Sequence, residues 1–158
     1  MIALKHIIWD WNGTILDDRW LTIAAMNSVL ARRNMDELTE DQYLQVFTFP
    51  VIEYYRRLGF DFEKEPFSIS GTEFINEYNA RAFEPQLHDG IIDLINELNE
   101  NDISHSILSA SSQKILDKLA EYHLSPIHIS APTRPRLRSS AVFCLKKKKG
   151  GGGGGGGG

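Results

Sequence analysis

The sequence contains a single cysteine, Cys144, among its 158 residues. One thiol cannot form an intrachain disulfide, so no disulfide framework is available to the fold. Residues 1–123 have no cysteine at all, and this suits a reducing compartment. We therefore expect a cytoplasmic protein.

Positive charge is scarce over residues 1–123, which carry 10 basic and 21 acidic side chains and a net charge of −11. Such an acidic surface repels phosphate backbones, so we expect no nucleic-acid partner. Long apolar runs are also lacking, and no signal-peptide pattern is present, so we expect no membrane partner. None of these patterns indicates an oligomeric state.

Residues 124–158 lack acidic side chains and any amphipathic period. They pass from Pro/Arg-rich sequence to four lysines, Lys146–Lys149, and then to nine glycines. The stretches "LSPIHISAPTRP" and "AVFCLKKKK" resemble a translated sequencing-library adapter that runs into poly-A. We predict that 124–158 is a disordered, adapter-derived tail and that the native sequence ends near residue 123. The alternative is a basic arm followed by a flexible linker.

Hydrophobic periodicity predicts strands and helices in α/β order. Strands are expected at 3–9 and Ser104–Leu108, and helices at 18–33, 41–47, 51–58, 71–83, 89–99 and from Ser111 or Ser112 onward. The inward positions of the last helix are expected to be Ile115, Leu116, Leu119 and Tyr122. This order indicates a Rossmann-like parallel sheet. The helical stretch between the strands is too long for a simple crossover, so we interpret it as an inserted cap. The predicted domains are core at 1–16, cap at 17–83 and core again at 84–123.

Polar side chains follow both predicted strands, Asp10 after the first and Ser109 after the second. Ligands of open α/β sheets bind beyond the carboxyl ends of the strands. An aspartate, the backbone amides of a glycine turn and a hydroxyl are suited to hold a phosphate there. The carboxylate could attack phosphorus and form an aspartyl-phosphate, with Mg²⁺ offsetting the repulsion between the two anions.

The stretch "DWNGT" after an apolar strand, the inserted helices and then "HSILSAS" resemble the haloacid dehalogenase superfamily, and most closely its phosphoglycolate-phosphatase-like members. The resemblance implies that Asp10 is the nucleophile and a Mg²⁺ ligand, and that the Asn12 carbonyl is a second ligand. It also implies that backbone amides near Trp11 and Asn12, together with the Ser109 hydroxyl, hold the phosphoryl oxygens. Thr14 would brace the turn, and the cap would exclude water from a small phosphorylated metabolite.

Asn12 departs from the family pattern, because most family phosphatases have an aspartate there that protonates the leaving group and then activates water. An amide cannot shuttle protons, and this assistance is worth about 10²–10⁴-fold. Asn12 therefore predicts a slow phosphatase, a substrate with a good leaving group, or a base elsewhere. In a chain that carries its natural C-terminal half, we expect Asn12→Asp to raise turnover.

A second departure is that the family's later lysine and acidic cluster have no counterpart after Ser109 outside the suspected tail, where Lys146 lies. We therefore interpret the chain as an N-terminal fragment of a Mg²⁺-dependent phosphatase, with impaired activity. One alternative is a phosphosugar mutase of the same fold. The other is a non-catalytic phosphate-binding or interaction protein. The sequence does not specify the substrate.

Other conspicuous side chains are interpreted as structural. Asp17 and Asp18 suit the cap of the following helix. Packing positions are expected for the aromatic residues Trp9, Trp11, Trp20, Phe47, Phe49, Tyr54 and Tyr55. Surface or strand positions are expected for the histidines His6, His88, His105 and His123.

Overall fold

A computed structural model describes residues 5–124. Its elements in chain order are β1 (His6–Asp10), β2 (Leu16–Asp17), α1 (Arg19–Ala31), α2 (Glu40–Val46), α3 (Val51–Arg57), α4 (Phe67–Ala80), β3 (Gln86–Leu87), α5 (Ile91–Glu100), β4 (Ser104–Leu108) and α6 (Gln113–His123). The predicted tail lies outside the described residues except for Leu124, so its interpretation stays a prediction. The same holds for the first residues of the predicted strand 3–9.

Strands β1 and β4 pair in parallel, which confirms the predicted α/β fold with a parallel sheet. The register places Asp10 opposite Leu108, so both strands end at the same edge of the sheet. His105 and Ile107 of β4 are buried on the face that α5 and α6 cover. On the other face Ile8 is 64% exposed. The apolar run of β1 predicted cover on both faces, but the described residues cover only one.

A short antiparallel pair, which the sequence did not predict, joins β2 to β3. Leu16 lies opposite Leu87 and Asp17 opposite Gln86, and the His88 N–H donates to the Ile15 carbonyl at 3.0 Å. Two-residue strands are too short to show an alternating pattern. The pair brings together the two ends of the helical insertion, by which we mean helices α1–α4.

The helical insertion has an apolar cluster of its own, consisting of Met26, Val29, Leu30, Leu38, Tyr54, Tyr55 and Phe60. Tyr54 and Tyr55 are buried as expected, and the Phe47 ring packs against those of Tyr43 and Tyr54 at 5.1 and 5.2 Å between centroids. The predicted packing positions of Trp20 and Phe49 are wrong, because these side chains are 43% and 77% exposed. Helix α4 begins at Phe67, four residues before its predicted start, because Pro66 occupies the N-cap and pre-sets the entering backbone.

A second apolar cluster joins the sheet, helices α5 and α6, and the base of the helical insertion. Leu21 and Ala25 from α1 and Tyr78 from α4 pack in this cluster beside Trp11 and Leu116. Each large aliphatic side chain buried there contributes about 1.5–3 kcal/mol. The predicted domain boundaries stay a prediction, and this core crosses both of them.

Helix α6 buries Leu116, Leu119, Ala120 and His123. The expected inward position of Tyr122 is wrong, since it is 60% exposed, and so is the expected surface position of His123. The reason is helical spacing: positions 116, 119, 120 and 123 form one stripe at i, i+3, i+4 and i+7. Over residues 5–124, no helix has both the length and the apolarity to cross a bilayer.

Candidate active site

Asp10 is the last residue of β1 and lies at the rim of an open pocket of about 340 Å³. The pocket is lined by Ile8, Trp9, Asp10, Leu108, Ser109 and Ala110. The predicted nucleophile and the predicted phosphate-binding residue Ser109 therefore line the same pocket. The Asp10 Oδ1 accepts the Trp11 N–H at 2.8 Å, which fixes the orientation of the carboxylate.

The pKa of Asp10 is raised above its ordinary value. The main cause is partial burial at the strand end, which disfavours the charged form, and the negative charge of Asp18 adds to it. The hydrogen bond from the Trp11 N–H opposes both effects. A cation beside Asp10 would lower this pKa and favour the ionised nucleophile.

The loop after β1 is a tight turn around one carbonyl. The Trp11 carbonyl accepts the N–H groups of Thr14, Ile15 and Leu16 at 3.4, 3.1 and 3.0 Å. Gly13 has a φ of +71°, a conformation that favours glycine. The exposed Thr14 side chain makes no hydrogen bond within residues 5–124, so its predicted bracing role stays a prediction.

Asn12 uses all the hydrogen-bonding capacity of its amide group. Its Nδ2 donates to Asp18 Oδ2 at 2.7 Å and to the Tyr78 hydroxyl at 2.9 Å. Its Oδ1 accepts the hydroxyls of Ser109 at 3.2 Å and Ser111 at 3.3 Å. An asparagine side chain has two N–H donors and two acceptor lone pairs, so none remains for another partner. Asn12 thus connects the turn to three other parts of the chain.

Asp18 is 2% exposed. It is the N-cap residue of α1, but the expectation that its side chain caps the helix is wrong, since the carboxylate makes no capping hydrogen bond. It instead accepts from Asn12, from the Tyr78 hydroxyl and from the Gly13 N–H at 2.7 Å. The neighbouring Asp17 points to solvent and lies 4.0 Å from His88.

No sequence pattern indicates that Tyr78 belongs to the site, because Tyr78 lies on the apolar stripe of α4 like a packing residue. Its pKa is raised, mainly by burial and then by the Asp18 charge, so the hydroxyl stays protonated and donates to Asp18. Ser109 is 3% exposed and also accepts the Ser111 N–H at 3.0 Å. The Ser111 side chain faces Asn12, to which its hydroxyl donates. Ser112 is the N-cap residue of α6, but its side chain makes no capping hydrogen bond.

A family model for haloacid dehalogenase-like hydrolases matches residues 7–125 of this chain. The chain belongs to this family. No curated protein matched it.

Solved structures of similar fold include CbbY from Rhodobacter sphaeroides in complex with phosphate, with a TM-score of 0.59 and 20% identity over 77% of this chain and 58% of that one. A mutant of CbbY in complex with xylulose-(1,5)bisphosphate gives a TM-score of 0.56 at 20% identity, with coverage of 77% and 58%. A predicted phosphoglycolate phosphatase from Haemophilus somnus gives 0.64 at 14% identity, over 82% of this chain and 62% of that one. The chain thus spans about three fifths of these proteins, and the likeness shows the fold.

Few side chains of this haloacid dehalogenase-like chain could serve as magnesium ligands. Within residues 5–124, no group of three or more His, Cys, Asp or Glu side chains could hold a metal. Magnesium in enzymes often uses one or two carboxylates and completes its shell with water and substrate phosphate. The Asp10 carboxylate and the Asn12 carbonyl fit an ion held in that way, and magnesium binding stays a prediction.

Proposed function

We propose that this chain carries the phosphoryl-transfer site of a phosphatase that hydrolyses small phosphomonoesters through an aspartyl-phosphate on Asp10. The observation that carries the proposal is the placement of Asp10 and Ser109 in one pocket at the carboxyl edge of a parallel sheet. Family membership and neighbours solved with phosphate and with a sugar bisphosphate support it.

The pocket residues have distinct roles in this proposal. The Asp10 carboxylate attacks phosphorus while the bond to the ester oxygen breaks, and the phosphoryl group moves to Asp10. The backbone amide of Asn12 and the Ser109 hydroxyl hold the phosphoryl oxygens, and Ser109 would have to exchange its present hydrogen bond to Asn12 Oδ1 to do so. The family resemblance implies the same role for the Trp11 amide. This N–H donates to the Asp10 carboxylate, and it would have to give up that hydrogen bond to hold a phosphoryl oxygen. Mg²⁺, bound through Asp10 and the Asn12 carbonyl, would supply positive charge that offsets the repulsion between nucleophile and phosphate.

The second half of the reaction is hydrolysis of the aspartyl-phosphate. Water attacks phosphorus, the bond to Asp10 breaks, and inorganic phosphate leaves. Asn12 can accept no proton from that water, and its amide is already fully bonded. Both steps therefore lack the usual acid/base help at this position. A good leaving group speeds formation of the aspartyl-phosphate, and we expect its hydrolysis to stay slow for every substrate.

The helical insertion, close to the predicted range 17–83, would act as the cap that closes over the pocket. The substrate class would be small phosphorylated metabolites of the phosphoglycolate or sugar-phosphate type. A cytoplasmic location and the absence of nucleic-acid and membrane partners stay predictions from composition.

One observation favours a second candidate, phosphate binding without turnover. The saturated hydrogen bonding of Asn12 gives the turn a rigid structure without a proton carrier, which is compatible with a phosphate-binding site that does no chemistry.

The test follows release of the alcohol and of phosphate by the full chain with Mg²⁺, using an aryl phosphate and a panel of alkyl phosphates. With the aryl ester we expect a burst of aryl alcohol as the aspartyl-phosphate forms, followed by slow release of phosphate, and we expect slower reaction with alkyl esters. Asp10→Asn should abolish both. Asp17→Asn is the matched control, because it makes the same change in a carboxylate that is 58% exposed.

Phosphate release by the Asp10→Asn protein at the rate of the unaltered chain would contradict the proposal. Phosphate binding without release would support the second candidate. Transfer of the phosphoryl group to a sugar hydroxyl instead of water would indicate the mutase alternative.

A further inference from the structure

The contact between Asn12 and Asp18 joins a partly buried amide to a fully buried carboxylate. Asp18 is 2% exposed, and its three donors are the Asn12 amide, the Gly13 N–H and the Tyr78 hydroxyl. A carboxylate only accepts hydrogen bonds, so the nitrogen of Asn12 must face it. The oxygen of Asn12 is then directed to the hydroxyls of Ser109 and Ser111.

Each of the two positions depends on the chemistry of the other. A carboxylate at position 12 would place two acceptors about 2.7 Å apart, where the bond from Asn12 to Asp18 now lies. The Tyr78 hydroxyl has one proton and could serve only one of them. Buried like charges without compensation are strongly unfavourable. An amide at both positions would leave the Gly13 N–H and the Asn12 nitrogen competing for a single carbonyl oxygen.

We propose that Asn12 and Asp18 are a matched amide–carboxylate pair, and that Asp18 is a positioning residue that sets the orientation of the nucleophile turn and of Ser109 through Asn12. Tyr78 brings helix α4 into the same network, so the helical insertion is tied to the turn that follows Asp10. The kinetic meaning of the pair rests on the proposed phosphatase function, whereas the pairing itself does not.

The pair changes the expected result of Asn12→Asp. From the sequence, that substitution alone was expected to raise turnover. With Asp18 in place it should disturb the turn instead. A carboxylate at position 12 becomes compatible with the site when position 18 is made an amide, because the two groups then exchange roles. The new amide can accept the Gly13 N–H through its oxygen and donate to the new carboxylate through its nitrogen.

The test is a double-mutant cycle on the full chain at neutral pH, with Asn12→Asp, Asp18→Asn and the double variant. We expect each single substitution to lower Tm by roughly 10 °C, from the cost of an unmatched buried polar pair. The double variant should recover at least half of the summed loss. Asn79→Asp is the matched control, because it makes the same change on an exposed position next to Tyr78. Rates of limited proteolysis should give the same ranking.

Additive losses in the double variant, or an Asn12→Asp protein as stable as the unaltered chain, would overturn the pairing. The kinetic arm compares alkyl phosphate turnover, where the double variant should exceed the unaltered chain by about 10²-fold and Asn12→Asp should not. If Asn12→Asp alone gives that gain, Asp18 does not position the turn. If no variant releases phosphate, the proposed function fails, and the stability cycle still decides the pair.

Discussion

Three tyrosine hydroxyls differ sharply in their surroundings, and removing each one should have a different effect on stability. The Tyr78 hydroxyl lies in a 9% exposed side chain, donates to the Asp18 carboxylate and accepts from Asn12. The Tyr54 hydroxyl is buried and has no hydrogen-bond partner within residues 5–124. Tyr122 is 60% exposed.

Tyr78→Phe removes the hydroxyl that donates to the Asp18 carboxylate. It also leaves one of the two Asn12 Nδ2 hydrogens without its acceptor. Hydrogen bonds to charged groups contribute about 1.5–3 kcal/mol, and an unsatisfied buried donor costs about 1–3 kcal/mol. Because the Asn12 nitrogen keeps its bond to Asp18, we expect a loss of about 2–3 kcal/mol in the free energy of unfolding. Tyr54→Phe removes an unpaired buried hydroxyl and should be neutral or stabilising by up to about 1 kcal/mol.

The assay is urea denaturation of the three variants, followed by tryptophan fluorescence. With a slope of about 2 kcal/mol per molar urea, the Tyr78→Phe midpoint should fall by about 1 M. Tyr122→Phe is the control and should not move it. If Tyr78→Phe costs no more than Tyr122→Phe, the hydrogen bonds around Asp18 do not hold the site as described.

The remaining predictions concern pH, packing and charge. The pKa values of His105 and His123 are lowered, mainly by burial, so both are neutral in the fold. As pH falls, the unfolded chain binds protons at these histidines before the folded chain does, so stability should fall as pH drops below about 6.5. Thermal unfolding measured from pH 8 to 5 should show this loss. Leu116→Ala, at a fully buried position, should cost about 2–5 kcal/mol in urea denaturation. Arg33 donates to Glu65 and Glu73, and Arg33→Lys should cost about 1–2 kcal/mol because one ammonium cannot replace the forked guanidinium.

Control variants are available for the histidine, Leu116 and Arg33 predictions. A double His105→Gln, His123→Gln protein should lose most of the acid sensitivity, whereas His88→Gln should keep it. If His88→Gln removes the acid sensitivity instead, the burial of His105 and His123 is not its cause. Leu94→Ala, at a position 41% exposed on α5, should cost far less than Leu116→Ala. Arg19→Lys at the exposed pair with Glu40 should be nearly neutral, and an equal cost at Arg33 and Arg19 would count against a stabilising role for the partly buried Arg33 network.

The fold was predictable because its long elements have strong patterns. The second sheet strand, Ser104–Leu108, was predicted with its observed bounds, and most helices were predicted within a few residues of their ends. The pairing of β2 with β3 could not be predicted, because a two-residue strand has no period. The inward face of α6 was misassigned because Tyr122 and His123 are adjacent, and only the complete stripe from Leu116 decides between them.

The candidate site was predictable only where its chemistry lies next to a strand end. Asp10 and Ser109 were singled out because each follows an apolar strand, and the parallel register brings them to one pocket. Asp18 was interpreted as a helix cap because an acid before a helix usually has that role. Its actual partners, Asn12 and Tyr78, depend on how α4 packs, and no local sequence pattern contains that information.

Asp10 is the proposed nucleophile, and the sharpest test is to trap its phosphorylated form. The full chain is incubated with an aryl phosphate and Mg²⁺, reduced with borohydride, which converts an aspartyl-phosphate to homoserine, and mapped by peptide mass spectrometry. We predict homoserine at position 10 and nowhere else, and none in the Asp10→Asn protein. Phosphate release with position 10 unmodified, or homoserine at position 17 or 18, would contradict it.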